Sequence, residues 1–367
     1  MELRIWRHFD VLLVVATLVL VAYGLLMIYS ATYLPERRDP VGEMVYRQGL
    51  YALLGFALMV LMTATDYRIL GNVAKLCYIA ACGLLVIVLV VGRISHGAQR
   101  WIDLGIIPLQ PSELAKLLVI IALAKYFADH EDDIRSLRCV IVSLFIVAVP
   151  AVLTFLQPDL GTATILVVIW VGMAVMSGVR PLHWLILGVC AALMAPLLWM
   201  SLHDYMRTRL AVFLDPQSDP LGAGYNVIQA LTAVGSGGMF GRGLTSGTQS
   251  QLHFLRVQYA DFIFSVLAEE LGFLGALALF ALVVFLLFRC LRVVGLSSDT
   301  FGRLIATGVV AWLAFQTFVN VGMNIRLLPV AGVPLPFMSY GGSSMIALLI
   351  CIGILESVVM RHKRIEF

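Results

Sequence analysis

The stretch YADFIFSVLAEELG, residues 259–272, sets one aspartate at the mouth of a long apolar run and two adjacent glutamates further in. A carboxylate at Asp261 can cap the free N–H groups of a helix start, or it can accept a proton from an attacking hydroxyl. An acid at the centre of a bilayer costs about 2.5–3.5 kcal/mol on insertion scales, so Glu269 and Glu270 call for a polar interior, an ion pair or protonation. If the helix runs back to Asp261, Ser265 lies near its face, Glu269 about 80° away and Glu270 on the opposite side. On that reading Glu269 shares a cavity with Asp261, and Glu270 pairs elsewhere.

Two other stretches carry charge in the same way. In GAQRWIDLGIIPLQPSELAK, residues 97–116, Pro111-Ser112 reads as a helix start with Ser112 as its cap. Glu113 and Lys116 are three apart and share a helix face. They form an intrahelical pair that carries both charges into the membrane boundary, or else Lys116 lines the cavity of Asp261. Arg100, Trp101 and Asp103 form a polar, amphipathic approach. In QPDLGTA, residues 157–163, Asp159 follows Pro158 in a tight turn and either caps the next helix or faces the cavity.

Long apolar runs must position these groups. The chain of 367 residues is 61% hydrophobic and 13% charged, against about 45–50% and about 25% in ordinary globular domains. A spanning helix needs about 20 apolar residues. Ten runs meet or approach that length: roughly 10–29, 49–65, 73–92, 113–128, 138–156, 162–178, 182–200, 261–288, 303–323 and 343–360. The expected fold is therefore an all-α polytopic membrane protein of about ten helices. It forms a single integral membrane domain over 1–367, with a long extracytoplasmic loop at about 201–260, between helices 7 and 8. The first run is too long for a signal-peptide core and is expected to be a mature span. A net charge of +3 with no basic tract gives no reason to expect nucleic acid. The six cysteines lie in or beside apolar runs without metal-ligand spacing, so neither a disulfide framework nor a zinc site is expected.

Lys and Arg set the orientation. With the long segment set aside, their excess places both termini in the cytoplasm. Asp261 and the 201–260 segment then face the other side, together with Arg100, Lys116, Arg207 and Arg209, cations suited to an anionic substrate or to lipid phosphates. Two further stretches break helices. The glycine-rich part of 222–247 can expose backbone N–H groups to an anion or form a flexible loop, with 225–234 apolar enough to dip into the interface. The prolines and glycines of MNIRLLPVAGVPLPFMSYGGSS, residues 323–344, imply non-helical backbone, which membranes tolerate only when it is buried in protein or lines a watery cavity.

The strings WIDLG…QPSELAK, QPDLGTA, FLDPQSDPLGAGYNVIQ, GSGGMFGRGL…GTQSQLHFL, DFIFSVLAEELG and LLPVAGVPLPFMSYGGSS occur in this order over nearly the whole chain. With them the sequence resembles the SEDS family (shape, elongation, division and sporulation), and DPLGAGY and GTQSQLHFL favour its rod-shape elongation branch. The resemblance implies a peptidoglycan glycosyltransferase that polymerises lipid II, the undecaprenyl-diphosphate-linked disaccharide-pentapeptide, in the bacterial inner (cytoplasmic) membrane. It also implies a class B penicillin-binding protein as transpeptidase partner, with other membrane proteins of the elongation machinery. The family's essential aspartate falls on Asp261, its S-E-x-x-K acid and base on Glu113 and Lys116, and Gln229 lies in a matched string. Departures cluster near the aspartate. The family's Pro-Glu-x-His-Thr is replaced by Arg256, Val257, Gln258, Tyr259 and Ala260, with Arg256 and Tyr259 as substitute polar contacts. Ala230 and Ala331 stand where serine and threonine are usual.

The expected chemistry is an inverting displacement. Asp261 takes the proton of an acceptor sugar hydroxyl as it attacks the anomeric carbon of a lipid-diphosphate-linked donor. The leaving diphosphate needs positive charge rather than a second acid. Lys116, Arg100, Arg207 and Arg209 are the candidates for it, with Mg or Mn as a possible helper. Glu113, Asp159, Gln229 and Glu269 complete the expected substrate-binding set. A lipid II flippase is the alternative, since intramembrane acids and broken helices also suit transport; no inverted repeat is visible in the sequence.

Overall fold

A computed structural model describes residues 8–33, 40–95, 98–103, 108–202, 204–219, 222, 224–252, 254–255 and 257–362. Each of the ten apolar runs is a helix: α1 (Val11–Thr32), α2 (Pro40–Ala64), α4 (Ala74–Val91), α5 (Pro111–Asp129), α6 (Leu137–Leu156), α7 (Leu160–Ser177), α8 (Pro181–Ser201), α12 (Ile263–Leu296), α13 (Thr300–Asn324) and α14 (Gly342–Met360). The short α3 (Arg68–Asn72) links α2 to α4. Among the described residues eight helices are long and apolar enough to cross a membrane. The other two of the ten are α5, with Glu113, Lys116, Lys125 and Asp129, and α8, whose apolar stretch is Pro181–Leu197.

Burial separates the helices by role. Along α14 nearly every side chain is buried, including Glu356 and Ser357. By contrast α8 exposes Leu182, Leu185, Leu193 and Met200 around much of its surface. An apolar helix this exposed is stable only in lipid, so α8 lies at the rim and α14 at the centre. The ends of α1 and α14 meet. The backbone N–H of Asp10 donates to Glu356, and the His8 and His362 rings lie edge-on with centroids 4.9 Å apart. The start of α1 and the end of α14 thus lie on one side of the bundle.

Two parts of the fold escape the apolar pattern. Between α4 and α5 the chain forms a small antiparallel sheet, β1 (Arg93–Ser95), β2 (Ala98–Asp103) and β3 (Pro108–Leu109), in the order β1-β2-β3. Arg100 and Trp101, expected as part of a polar approach, thus lie on a strand. Within 201–260 the chain forms α9 (Asp204–Leu214), α10 (Tyr225–Ser236) and α11 (Thr248–Gln251). Val227, Ala230 and Ala233 of α10 are buried, one face of the helix lying against α12 and α13.

The glycine-rich loop after α10 is packed into the bundle. Gly272 interrupts α12 with φ 65° and ψ −161°, a conformation that suits glycine. The carbonyls freed around the break accept from the loop: Arg242 N–H reaches Glu269 O at 3.0 Å, and Gly243 N–H reaches Glu270 O at 2.9 Å. In return Phe273 N–H donates to Gly238 O at 2.9 Å. The broken backbone is therefore satisfied inside the protein.

Candidate active site

Asp261 precedes α12 rather than starting it. The cap of α12 is Phe262, without a side-chain cap bond, and residues 257–262 form turns. Projecting helical angles back to Asp261 therefore fails. The turn is instead held from outside at three successive carbonyls. Tyr340 N–H donates to Tyr259 O at 2.9 Å, and Ser339 Oγ donates to Ala260 O at 2.6 Å. Asn320 and Asn324 Nδ2 both donate to Asp261 O, at 3.2 and 3.1 Å. With its main chain fixed this way, Asp261 remains partly exposed. The Tyr259 phenol lies beside it: burial, and then the negative charge of Asp261, push that phenol above its ordinary pKa. Tyr259 and Tyr340 also meet edge-on, with ring centroids 5.7 Å apart.

One face of α13 supplies the scaffold. Gln316, Asn320 and Asn324 recur every four residues and are fully buried. Gln316 Nε2 donates to Pro334 O at 2.8 Å, and Asn320 Nδ2 donates to Val333 O at 2.8 Å as well as to Asp261 O. Asn324 Oδ1 accepts from Ser265 N–H and Oγ. A single row of amides thus joins the 333–334 loop to the Asp261 turn. Sequence reasoning passed over this row, although three amides at i, i+4, i+8 inside an apolar run were a readable signal.

Cations gather over the same loop. A methyl group placed on Gly332, at φ 66°, would lie 3.6 Å from Arg209 Nη1 and 3.9 Å from Arg100 Nη1, so two guanidinium groups converge there. Arg209 reaches across from α9 to donate to Val330 O at 2.9 Å. Arg100 donates to the carbonyls of Gln157 and Pro158 and lies 3.9 Å from Asp159 Oδ1. Beside Arg209 opens an apolar cavity of about 200 Å³, lined by Leu160, Met206, Phe315, Phe318 and Val330 among others.

Other expected site residues are placed differently. The Lys116 ammonium is fully buried, 2.8 Å from Glu113 Oε1 and 3.1 Å from Gln316 Oε1, and 4.4 Å from the centroid of the Trp312 ring. It pairs inside the bundle and does not line an open cavity; Glu113 is equally enclosed. Ser112 does not cap α5, since the cap is Gln110 with Pro111 at the first turn. Asp159 caps α7, accepting from Thr162 N–H and Oγ1, and is buried. Arg207 donates to Trp199 O and Met200 O at the end of α8. Two positions apart on α9, Arg207 and Arg209 leave the helix about 160° apart, and only Arg209 reaches Gly332. Gln229 is half-buried on α10.

Glu269 does not face Asp261. Its carboxylate accepts from Gln249 N–H at 2.8 Å, Ser250 N–H at 3.0 Å and Thr248 Oγ1 at 3.3 Å. Glu270 accepts from Ser30 Oγ, Ser250 Oγ and Gln251 Nε2. Both acids anchor α11 from within. The helix between Asp261 and Glu269 does not extend far enough back for one face to hold both. Arg256 lies outside the described residues, as does the side chain of Asp103. Among the described residues no three His, Cys, Asp or Glu side chains gather as a metal cage.

Known proteins resemble this chain over most of its length. The model of the FtsW/RodA/SpoVE cell cycle proteins matches residues 10–364. The peptidoglycan glycosyltransferase MrdB of Escherichia coli (strain K12) is 42% identical over 363 residues, 98% of this chain and 95% of that protein. Stage V sporulation protein E of Bacillus subtilis (strain 168) is 37% identical over 95% of this chain and 96% of its own length. Among solved structures, a chain described under the structural coordination of polymerization and crosslinking by a peptidoglycan synthase complex superposes with a TM-score of 0.83 at 33% identity, covering 96% of this chain and 98% of its own. The rod shape determining protein RodA of Thermus thermophilus superposes with a TM-score of 0.72 at 30% identity, covering 97% of this chain and 98% of its own. With the model and these relatives spanning almost its whole length, the chain belongs to the FtsW/RodA/SpoVE family, the SEDS proteins, as a multi-pass membrane protein.

Proposed function

We propose that this protein is a peptidoglycan glycosyltransferase that polymerises lipid II in cell-wall elongation, with Asp261 as general base. The observation that carries the reading is the joining of Asp261 to the loop under Arg100 and Arg209 through one buried amide, Asn320. A base and two cations on one rigid frame suit a reaction in which a proton leaves the nucleophile while negative charge builds on a diphosphate. The acceptor hydroxyl attacks the anomeric carbon, the C–O bond to the donor diphosphate breaks with inversion, and Asp261 receives the hydroxyl proton. Guanidinium groups match phosphate oxygens in a fixed fork. The apolar cavity beside Arg209 suits the first isoprenoid units of the donor lipid.

Lys116 acts on this frame from behind. It neutralises Glu113 and fixes Gln316, which holds Pro334 O. The relative described in a polymerizing and crosslinking complex supports a class B penicillin-binding protein as partner of this chain, among other elongation proteins. Placement in the inner membrane rests on the family, and both termini in the cytoplasm on the Lys and Arg bias.

The test is glycan-strand synthesis by purified protein, with its partner, from lipid II. Strands from the wild-type chain and none from a folded Asp261→Ala variant are expected. Lipid II translocation in liposomes without strand synthesis would favour the transporter.

A further inference from the structure

At the end of the bundle away from Asp261 lies a second cavity, of about 430 Å³, between the start of α1 and the end of α12. Its polar walls are His8, Asp10, Arg289, Arg292 and His362. Asp10 is committed: one carboxylate oxygen accepts from Leu13 N–H and the other from Arg289 Nη2. Glu356, behind it, accepts the Asp10 N–H and is not part of the wall. Arg289 is buried; its Nε and the Glu356 Oε2 both lack a hydrogen-bond partner among the described residues, and neither atom opens on the cavity. Arg292 stands exposed at the mouth. Two arginines line the cavity against one aspartate that is already paired, so its wall carries net positive charge, which is the setting for an anion.

The mouth shows which kind. Val11 and Leu12 border it and are 58% and 50% exposed at the first turn of an apolar spanning helix. Polar walls and apolar lips coincide at the level where phospholipid headgroups lie. We infer that this cavity holds a phosphate group at the membrane surface, with Arg292 and Arg289 as its donors, in a site separate from that of Asp261. An anionic phospholipid would place its acyl chains along Val11 and Leu12; a soluble phosphate would use the same donors without them.

Titration of the purified full chain in detergent separates these sources. One arm adds phosphatidylglycerol and counts bound lipid by native mass spectrometry; the other adds inorganic phosphate and follows the thermal unfolding midpoint. Saturation at one molecule per chain is expected in at least one arm, with Arg292→Gln weakening it about fivefold, the effect of one surface cation. Arg303→Gln, which removes a half-buried arginine from α13 at the same end, should leave binding unchanged. Saturation by phosphatidylglycerol alone identifies the lipid as the source, and saturation by phosphate identifies the free anion. The inference fails if neither arm saturates, if Arg292→Gln binds like the wild type, or if Arg303→Gln weakens binding equally.

Discussion

At the scale of single residues, the side chain that does chemistry and those that hold it are distinct groups. Asp261 is partly exposed, while Asn320 and Asn324 grip its carbonyl from buried positions. Displacement of a base by about 1 Å can cost about a hundredfold in rate. Asn320→Ala removes the bridge to Val333 and should therefore lower kcat by about ten- to a hundredfold with a smaller change in KM, in steady-state polymerisation assays. Arg209→Ala should instead raise KM for the lipid substrate, because its guanidinium binds before and during the reaction; titration of initial rates against lipid II separates the two effects. Lys116 calls for a different measurement. Removing one partner of a buried ion pair costs about 3–5 kcal/mol, since the other charge remains without compensation. Lys116→Met should lower the unfolding midpoint in detergent markedly. Glu113→Gln combined with Lys116→Met should recover much of that loss. A direct phosphate ligand would give no such recovery of stability.

At the scale of elements, the sequence showed where helices lie better than where they stop. All ten apolar runs are helices because length and hydropathy alone decide that in a membrane. The same property concealed the site's supports. Helical spacing placed Glu269 toward Asp261, but α12 begins at Ile263 and the turn before it has no helical phase. Apolar pattern carries no information on loops that fold by backbone pairing, so the strand bearing Arg100 and the docking of residues 238–243 against Gly272 were not legible. Asp159 was open to two readings, and its bonds to Thr162 fit the cap. Gly272 provides a test at this scale. A side chain there would collide with the backbone at Gly241 and Met239, and its φ of 65° is strained for other residues. Gly272→Val should free the 238–251 segment, seen as faster amide hydrogen exchange and faster proteolysis there, while the remaining helices stay protected.

For the whole molecule, the two ends have different work. One end carries Asp261 and the converging arginines beside an apolar cavity; the other joins the start of α1 to the ends of α12 and α14 through Asp10, Arg289 and Glu356. The central, almost wholly buried α14 runs between them, with Ser343 donating to Pro108 O near β3 and Glu356 near the far end. Such a frame suits a reaction in which a membrane-anchored donor must meet a growing chain without the catalytic turn shifting. Only the aspartate of that turn is asked to move a proton. The most direct measurement is therefore single-turnover glycan formation from lipid II by Asp261→Asn, in a preparation whose unfolding midpoint and lipid binding match the wild type. The expected result is a fall in the bond-forming rate of about 10²–10⁴-fold with binding retained. Bond formation at the wild-type rate by this variant would contradict the role of Asp261 as the base.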